Sequence, residues 1–528
     1  MEQRRDARAA GNAAAVTLAR LLDRAALRDP EAPALVEGAR RLTYADLARQ
    51  AAVVGRGLAE LGVAKGDRVL IALKNRLEHA LVYWALQGIG GVPTPVNFRL
   101  AAQELRYVVE DCGARVALFE SATAGAMLDA TRGWQGRLVF VGDETPAEAI
   151  PFAALLGSSR APLDRHVSES DPSLLLYTSG TTGRPKGVPR THRNHHAGAL
   201  AHVIQCGYQW GERTLGVMPL YHTMGIHALT SMAAVNGCFV CQADWSASEA
   251  LALIELERVT ALYLIPTLYH DLVHAAEFPT GKISSVRKLA YAGAPMLAAL
   301  AESCANAFRP DVFVNHYGST EIYTFSVCPA AHTRPGCAGR PGVHSKLRVV
   351  EASVERRVGP DETVPAGEKG EIIASLDSDE AFAGYWKRPD ADAKALRDGW
   401  YFTGDMGYLD EAGDLFVAGR VDDMIISGGE NIHPVEVEEV VAGHPRVRDV
   451  AVVGEPDDKW GERVVAFVVP SDARLTADAL DRYCLDSPAL ANFKRPRRIV
   501  FVEAIPRTAS GKILRRLLRD GHYVEVSR

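Results

Sequence analysis

The feature that most constrains the fold is an alternation of short apolar runs with stretches of helical periodicity. Apolar runs at 69–73, 92–96 and 115–119 are separated by helical patterns near 78–87 and 103–111. Strands that follow one another through helices pair in parallel, and the helices cover the faces of the sheet. The pattern therefore predicts an α/β fold built on helix-covered sheets.

The same alternation resumes after a polar stretch at 158–171, with strands predicted at 173–177, 215–218, 261–265, 286–291 and 312–315. From residue 347 to 375, short strand-like pieces with Gly and Pro turns predict a β-rich subdomain. A second boundary is predicted near 419–423, before a compact α/β unit. We therefore predict a large N-terminal domain over residues 1–420 and a small C-terminal α/β domain over 421–528.

Two local patterns predict individual elements. Thr43 and Asp46 form a capping-box pattern at the start of a helix, followed at helical spacing by Leu47, Ala51, Val54, Leu58 and Leu61. Cys238 and Cys241 form a lone C-x-x-C among 8 scattered cysteines. No second ligand pair stands at a spacing that suits zinc, so this pattern favours a buried strand.

Composition excludes several classes of protein. The 528 residues carry a formal net charge of −6, which argues against a protein held to nucleic acid by a global positive field. No apolar run reaches the roughly 18 residues of a membrane span, and the start lacks the apolar run of a secretory signal. These features predict a cytoplasmic protein.

The strongest motif is Tyr177-Thr-Ser-Gly-Thr-Thr-Gly-Arg-Pro-Lys-Gly187, with an apolar strand before it and a helix predicted near 191–205. Its glycines permit close backbone approach, and its hydroxyls and Lys186 suit the oxygens of a polyphosphate. It is not a Walker A loop, because Pro185 stands where that pattern needs Gly. A flexible linker is the alternative for a Gly-rich run alone, but the strand, the helix and the lysine favour a phosphate loop.

This motif resembles the signature loop of the adenylate-forming enzymes, which include acyl- and aryl-CoA ligases, peptide-synthetase adenylation domains and firefly-type luciferases. The resemblance extends from about residue 17 to about residue 520 with the motifs in the family's order. It implies a ligase that activates a carboxylic acid with ATP and Mg²⁺ and then transfers the acyl group to the thiol of coenzyme A.

The resemblance also implies roles for residues at the nucleotide. The phosphates are bound by Thr178, Ser179, Gly180, Thr181, Thr182, Gly183 and Lys186. Adenine lies beside Gly293, Ala294, Pro295 and Tyr317, and ribose is held by Asp405 and Arg420. Thr320 contacts the α-phosphate, Glu321 holds Mg²⁺, and Lys512 is the catalytic lysine. Each of these, in isolation, could be an ordinary turn or surface residue; their joint presence favours the site.

A second set of implied roles concerns domain motion and coenzyme A. Asp422 matches the family's hinge, about which a mobile C-terminal domain rotates. Coenzyme A is expected to contact Gly428, Gly429, Trp460, Phe493, Arg495 and Arg497. The basic run at 492–498 would also suit nucleic acid or a solvated face, but the resemblance favours coenzyme A.

The acid is predicted from weaker patterns. The resemblance places His222 at the acyl site and implies a pocket wall of His222, Thr223, Met224, Ala292, Gly318, Ile322, Tyr323 and Thr324. No Asp lies between Met218 and Val235 to hold an amino acid's ammonium group. Segments 374–385, 419–434 and 492–498 look most like benzoate-type ligases, particularly halobenzoate–CoA ligases, so a compact aromatic or other ring acid is expected.

Three other functions stay open at this stage. The chain could load its acid onto a carrier protein, could be a medium-chain fatty acyl-CoA ligase, or could be a regulatory nucleotide-binding protein with an inactive site. Intact Lys186, Glu321, Asp405, Arg420 and Lys512 argue against the last. The expected partners are a small carboxylic acid, ATP and coenzyme A, without nucleic acid, and the resemblance is compatible with a homodimer.

Overall fold

A computed structural model describes residues 16–157, 166–178, 184–278, 283–353, 356–428, 430–508 and 511–526. Six residues implied at the ligand sites lie outside the described residues: Ser179, Gly180, Thr181, Thr182, Gly183 and Gly429. For Asp422, only the backbone is described.

The first part of the chain alternates helix and strand as predicted. Its elements are α1 Leu18–Arg28, β1 Pro33–Glu37, β2 Arg40–Thr43, α2 Tyr44–Glu60, β3 Arg68–Ala72, α3 Leu77–Ile89, β4 Val92–Pro95, α4 Ala102–Cys112, β5 Val116–Glu120, α5 Ala124–Ala130, β6 Arg137–Val141, β7 Ile150–Pro151 and α6 Ala153–Leu156. Strands β3 to β7 form one parallel sheet in the order β4-β3-β5-β6-β7.

The predicted capping box at the start of α2 is present. The Thr43 side chain accepts from the Asp46 amide, and the Asp46 carboxylate accepts from the Thr43 amide. Each bond satisfies a backbone donor that the first helical turn leaves without an intrahelical partner. One face of α2 is buried through Leu47, Ala51, Val54 and Leu58.

The central part carries the main sheet. Its elements are β8 Pro172–Thr178, β9 Lys186–Thr191, α7 His192–Gln205, β10 Arg213–Gly216, α8 Thr223–Ala234, β11 Cys238–Cys241, α9 Ala247–Glu257, β12 Ala261–Leu264, α10 Pro266–Val273, β13 Lys288–Tyr291, α11 Ala298–Phe308, β14 Val312–Tyr317, β15 Ser326–Cys328 and β16 Cys337–Pro341. Strands β10 to β14 pair in parallel, so the loops after β12, β13 and β14 open at one sheet edge. The two cysteines of β11 are buried in that strand, as predicted.

The β-rich part continues the main sheet. Its elements are β17 Leu347–Val350, β18 Gly370–Ser375, α12 Pro389–Ala395, β19 Leu396–Arg397, β20 Trp400–Leu409 and β21 Leu415–Arg420. Strand β21 pairs with β16, which joins these strands to the parallel part in one hydrogen-bonded sheet. Such pairing between distant segments leaves no local pattern in the sequence.

The C-terminal part has its own sheet and core. Its elements are β22 Ile425–Ser427, β23 Glu430–Ile432, α13 Pro434–Ala442, β24 Val447–Asp457, β25 Gly461–Pro470, α14 Ala477–Asp486, β26 Arg498–Phe501 and α15 Arg515–Arg519. Buried side chains pack on both faces of β24 and β25, among them Val450, Val452, Val465 and Phe467. A short 3₁₀ turn, Val421–Asp423, connects β21 to this unit.

Candidate active site

The phosphate loop joins two antiparallel strands, β8 and β9, with Thr178 opposite Lys186. The helix predicted near 191–205 is present as α7, which begins at His192. Strand β9, which the sequence analysis did not predict, lies between the loop and this helix. Residues 186–191 pair with the backbone of β8 along its length. Lys186 stands at the start of β9, opposite Thr178 at the end of β8.

Lys186, Tyr385 and Glu321 form a short chain of contacts. The Lys186 Nζ lies 4.1 Å from the centre of the Tyr385 ring, and the Tyr385 hydroxyl donates to Glu321 Oε1 at 2.6 Å. Burial lowers the pKa of Lys186, while the charge of Glu321 opposes that shift. Tyr385 thus contacts a cation through its ring face and a carboxylate through its hydroxyl.

Arg190 supports the backbone that carries Thr320 and Glu321. Its Nη1 donates to the carbonyl of Thr320 at 2.9 Å and to that of Glu321 at 3.2 Å. Arg190 is fully buried, and burial lowers the pKa of its guanidinium to about 10. Sequence patterns did not indicate this residue, because its partners are backbone atoms about 130 positions away.

Asp405 receives two donors from different strands. The Tyr317 hydroxyl donates to Asp405 Oδ2 at 2.6 Å, and Arg420 Nη1 donates to Oδ1 at 2.7 Å. The register of β20 and β21 sets Asp405 opposite Arg420. The structure therefore brings together Tyr317, one of the four predicted adenine residues, and both predicted ribose residues.

Strand β14 is longer than predicted, reaching Tyr317 instead of Asn315, because β15 pairs with its last residues. Side chains alternate across a strand, and the two at its end contact different groups. His316 Nε2 lies 3.1 Å from the Thr324 hydroxyl, whereas the Tyr317 hydroxyl bonds to Asp405. The end of β14 thus contributes one side chain to the region around Thr324 and the next to the region around Asp405.

Lys512 reaches the same region from the C-terminal part. Burial lowers its pKa, the positive charge of Arg420 adds to that shift, and Asp405 opposes it. A Cβ on the preceding Gly511 would lie 3.2 Å from Ile265 Cδ1, at the end of β12. The C-terminal part is therefore seated on the main sheet with Lys512 turned inward.

Ion pairs lie within the C-terminal unit and between it and the N-terminal part. Glu436, on α13, pairs with Lys369 just before β18 and with Lys494 within its own unit. Arg515 pairs with Asp423 at 3.3 Å and with Glu438 at 2.7 Å. The Lys369–Glu436 pair joins the two predicted domains and is partly exposed.

The residues implied to contact coenzyme A lie on the C-terminal unit. Trp460 and Phe493 are 48% and 45% exposed. Gly428 has a φ of +61°, its amide donates to the Trp460 carbonyl at 2.7 Å, and a Cβ there would approach the indole to 2.8 Å. Arg495 pairs with Asp481, and Arg497 Nη2 donates to the Asn492 carbonyl at 3.1 Å.

The residues predicted to line the acid pocket flank the end of the main sheet. His222 is the N-cap residue of α8, and burial lowers its pKa to about 4. Met224 and Ala292 belong to the main core, whereas Ile322 packs in a separate cluster with Val188 and Phe325. Gly318 is crowded, because a Cβ there would lie 1.8 Å from the Tyr323 carbonyl oxygen.

A cluster of buried histidines and tyrosines lies next to these residues. We call His202, His227, His316, Tyr263 and Tyr323 the His–Tyr cluster. The Tyr323 hydroxyl is 2.9 Å from His202 Nδ1 and donates to the Tyr263 hydroxyl at 3.2 Å. The Tyr323 ring stacks on His227 at 3.6 Å, and all five side chains are at most 3% exposed.

Only Tyr323 of this cluster was predicted at the acid pocket. His195 and His202 are seven positions apart in α7, which places them on one helix face. Taken alone, that spacing indicates a packed core as readily as a ligand site. The contacts with Tyr263 and His316 come from other strands and could not be read from a local pattern.

Two family profiles match the chain. The profile of the AMP-binding enzyme matches residues 22–386, and that of the AMP-binding enzyme C-terminal domain matches residues 436–512. Among the described residues, none of the helices combines the length and the apolar character needed to cross a membrane.

Several characterised ligases are similar to this chain along most of its length. The chain is 36% identical to a 4-chlorobenzoate–CoA ligase of Arthrobacter sp over 498 residues, 93% of each chain. It is 36% identical to a feruloyl-CoA synthase of Amycolatopsis sp over 501 residues, 93% of this chain and 96% of the other. It is 33% identical to the fatty acid–[acyl-carrier-protein] ligase ScoC of Streptomyces coeruleorubidus over 515 residues, 95% and 96% of the two chains.

A solved structure gives the corresponding comparison of folds. The anthranilate CoA ligase AuaEII, in complex with anthranoyl-AMP, superposes with a TM-score of 0.86 at 28% sequence identity. The alignment covers 96% of this chain and 97% of that one.

Proposed function

We propose that the acid activated by this chain is a compact aromatic carboxylate. The premise is that the chain belongs to the AMP-binding enzyme family and is an ATP-dependent, AMP-forming acid–CoA ligase. The observation that carries this proposal is the ring-filled region beside Gly318, where Tyr263, His316 and Tyr323 are buried against one another. Buried rings at this position would limit the length of an acid bound beside Gly318, which favours a ring over a long alkyl chain. The 36% identity to ligases named for 4-chlorobenzoate and ferulate points the same way.

In the proposed first half-reaction, the acid's carboxylate attacks the α-phosphate of ATP and pyrophosphate leaves. The carboxylate is already ionised, so no general base is needed, and catalysis is mainly positioning and charge neutralisation. We assign the phosphates to the loop from Thr178 to Lys186, the α-phosphate to Thr320, and the ribose to Asp405 and Arg420. Lys512 stabilises the charge that develops between the carboxylate and the phosphate.

Glu321 is the residue proposed to hold Mg²⁺. Its carboxylate is buried close to Lys186 and the phosphate hairpin, and a hard oxygen donor suits this ion. Mg²⁺ is commonly bound by one or two carboxylates together with substrate phosphates and water, so a single protein ligand fits. When bound, the ion would neutralise charge on the phosphates.

The second proposed half-reaction needs a different arrangement. The thiol of coenzyme A attacks the acyl-adenylate carbonyl and AMP leaves, but Lys512 is partly buried near Arg420 and Asp405 in the orientation described here. We propose that the C-terminal unit rotates about Asp422, which withdraws Lys512 and brings in Gly428, Gly429 and Trp460. Phe493, Arg495 and Arg497 would then receive the nucleotide end of coenzyme A.

A hinge variant tests the rotation. Asp422→Pro fixes φ in the 3₁₀ turn Val421–Asp423. Thioester formation from supplied acyl-adenylate should fall at least tenfold, while release of pyrophosphate from ATP and acid is largely kept. Equal loss of both half-reactions, with an unchanged melting temperature, would contradict the rotation.

Substrate class is tested by coenzyme A-dependent AMP formation across benzoates, cinnamates, alicyclic acids and fatty acids. Turnover of a benzoate-type acid at least tenfold faster than that of octanoate or palmitate is expected. A faster reaction with either fatty acid would overturn the aromatic assignment and leave the ligase assignment intact.

Loading of a carrier protein is the second candidate, favoured by the similarity to ScoC along 95% of this chain. Replacing coenzyme A with a phosphopantetheinylated carrier protein separates the two. We expect AMP and thioester to accumulate with free coenzyme A. Thioester formation on the carrier alone would favour the second candidate.

A further inference from the structure

The C-terminal end of α4 contacts both segments that carry the proposed phosphate and Mg²⁺ groups. One segment is the pair of strands β8 and β9, with Lys186 at the start of β9. The other is 385–387, where the Tyr385 hydroxyl bonds to Glu321. Both segments are distant from α4 in sequence, so tertiary contacts determine how they are placed.

Asp111, in the last turn of α4, bonds to both segments through different atoms. Its carboxylate accepts from the hydroxyl of Tyr177, in β8, at 2.5 Å. Its backbone carbonyl accepts from the indole nitrogen of Trp386 at 3.0 Å and from Lys387 Nζ at 2.7 Å. Carbonyls in the last turn of a helix have no intrahelical partner, so these donors satisfy an acceptor that α4 leaves free. One residue of α4 therefore holds β8 and 385–387 together.

Two features of this junction are locally unfavourable. The carboxylate of Asp111 lies at the C-terminal end of a helix, where the helix dipole disfavours negative charge. Lys387 has a φ of +51°, in the left-handed region that a Cβ makes unfavourable. Its side chain bonds to Asp111 in this conformation. Local strain that the surrounding contacts maintain is typical of places where position matters for function.

The residues on either side of Lys186 are held as well. The Trp386 amide donates to the Gly187 carbonyl at 2.8 Å, and a Cβ on Gly187 would lie 2.9 Å from Trp386 Cβ. The hydroxyl of Tyr107, also on α4, donates to the Pro185 carbonyl at 3.0 Å. The position of Lys186 is therefore fixed through the carbonyls of both of its neighbours.

We propose that Asp111 is a positioning residue for adenylation. By holding β8 to 385–387, it sets the separation of Lys186 and Glu321. This role depends on the proposed function, in which Lys186 binds the phosphates and Glu321 holds Mg²⁺. Both groups act on the triphosphate before pyrophosphate leaves, so the positioning serves the first half-reaction and not the transfer to coenzyme A.

The test measures the two half-reactions separately, with whichever acid of the panel described above has the highest kcat/KM. Asp111→Ala removes the carboxylate that accepts from Tyr177. It should raise KM for ATP about tenfold and lower kcat for pyrophosphate release about ten- to a hundredfold, because a small misplacement of positioned groups can cost that much. Thioester formation from supplied acyl-adenylate should change less than about twofold. Equal loss in both half-reactions would overturn the positioning role.

Asp111→Asn is the conservative variant, because its side-chain oxygen can still accept from the Tyr177 hydroxyl. It should keep pyrophosphate release within about threefold of the unmodified enzyme, whereas Tyr177→Phe should resemble Asp111→Ala. An Asp111→Asn enzyme as slow as Asp111→Ala would show that the hydrogen bond to Tyr177 does not position the site, and would overturn the proposal.

Trp386→Phe provides a second route if Asp111→Ala folds poorly. It removes the indole donor to Asp111 and keeps an aromatic ring and the backbone bond to Gly187. Trp245→Phe is the matched control, because its indole donates to the Asp271 carboxylate at 2.9 Å, outside this junction. Only Trp386→Phe should raise KM for ATP, by about threefold or more. The same KM in both variants would contradict the role of the junction.

Lys186→Ala separates this role from the function on which it depends. It should itself slow pyrophosphate release, and adding Asp111→Ala to it should then cost much less than Asp111→Ala costs alone, because residues that act through one another are not additive. Additive losses would overturn the positioning role and leave the phosphate role of Lys186 standing. Unchanged pyrophosphate release in Lys186→Ala would overturn that phosphate role, and the positioning role with it.

Discussion

At the proposed nucleotide end of the site, the carboxylates already have hydrogen-bond partners. Asp405 accepts from Tyr317 and Arg420, and Glu321 accepts from Tyr385. At the proposed acid end, imidazoles and phenols prevail, and two of these groups, His222 and His227, each have a buried nitrogen without a hydrogen-bond partner. The first arrangement suits a ligand that is the same in every turnover. The second arrangement has few fixed ion pairs, so we expect substitutions at the two ends to affect different substrates.

The largest effect is expected at Lys512, which contributes charge to the nucleotide end from the C-terminal unit. Lys512→Ala should reduce pyrophosphate release about 10²- to 10³-fold, because a positioned donor at the developing charge is lost. Thioester formation from supplied acyl-adenylate should be largely retained, since Lys512 must leave for that step. Stopped-flow or quenched-flow assays of each half-reaction measure this. A comparable loss in both would show that Lys512 serves the fold or both steps.

Asp405→Asn tests whether the nucleotide end and the acid end act separately. Removing the charge that accepts from Arg420 should raise KM for ATP about ten- to a hundredfold, because charged hydrogen bonds contribute about 1.5–3 kcal/mol. KM for the acid should change little. Initial-rate kinetics with each substrate varied separately give both values. Parallel increases in the two constants would contradict the separation into a nucleotide end and an acid end.

The neutral histidines predict acid-sensitive stability. Burial lowers the pKa of His79, His192 and His316 to about 4 in the folded chain, against about 6.5 when unfolded. Between these values the unfolded chain binds more protons, so the free energy of unfolding falls as pH drops from 6.5 towards 4, by at most about 1.4 kcal/mol per pH unit for each group. Denaturant unfolding at pH 7.5, 6 and 5 measures the slope. His316→Gln should reduce it by about one proton, and an unchanged slope would exclude His316 as a contributor.

The smallest effect is expected at the partly exposed pair Lys369–Glu436, which joins the two predicted domains. Exposed pairs contribute about 1 kcal/mol or less, so Lys369→Met should lower adenylation by up to about fivefold and leave thioester formation unchanged. Lys494→Met is the control, because Lys494 pairs with Glu436 inside the C-terminal unit. If both variants behave alike, the pair does not stabilise the seated orientation.

Local chemistry explains what could be predicted. The capping box at Thr43, the buried strand at Cys238–Cys241 and the α/β class depend on neighbouring residues and are present as expected. The resemblance correctly indicated a ligase of this family. The roles assigned to individual site residues stay predictions, although the structure places Tyr317, Asp405, Arg420 and Lys512 in one region.

Long-range pairing explains what was missed. The hairpin of β8 and β9, the extra residues of β14 and the joining of β16 to β21 all depend on which distant backbone pairs with which. The His–Tyr cluster was missed for the same reason, because its side chains come from α7, α8, β12, β14 and the segment after β14. A buried histidine has no local signature that distinguishes it from a core residue.

The alternation at the end of β14 has a consequence for how such enzymes diversify. His316 and Tyr317 are adjacent in sequence yet bond to different groups, His316 to Thr324 and Tyr317 to Asp405. Under the roles proposed above, a substitution at position 316 is expected to alter the choice of acid and leave nucleotide binding unchanged, whereas inserting or deleting one residue would exchange the two faces and disturb both. New acid preferences in this lineage should therefore arise through point substitutions at alternate strand positions, and a library built on that rule would retain ATP binding in most of its members.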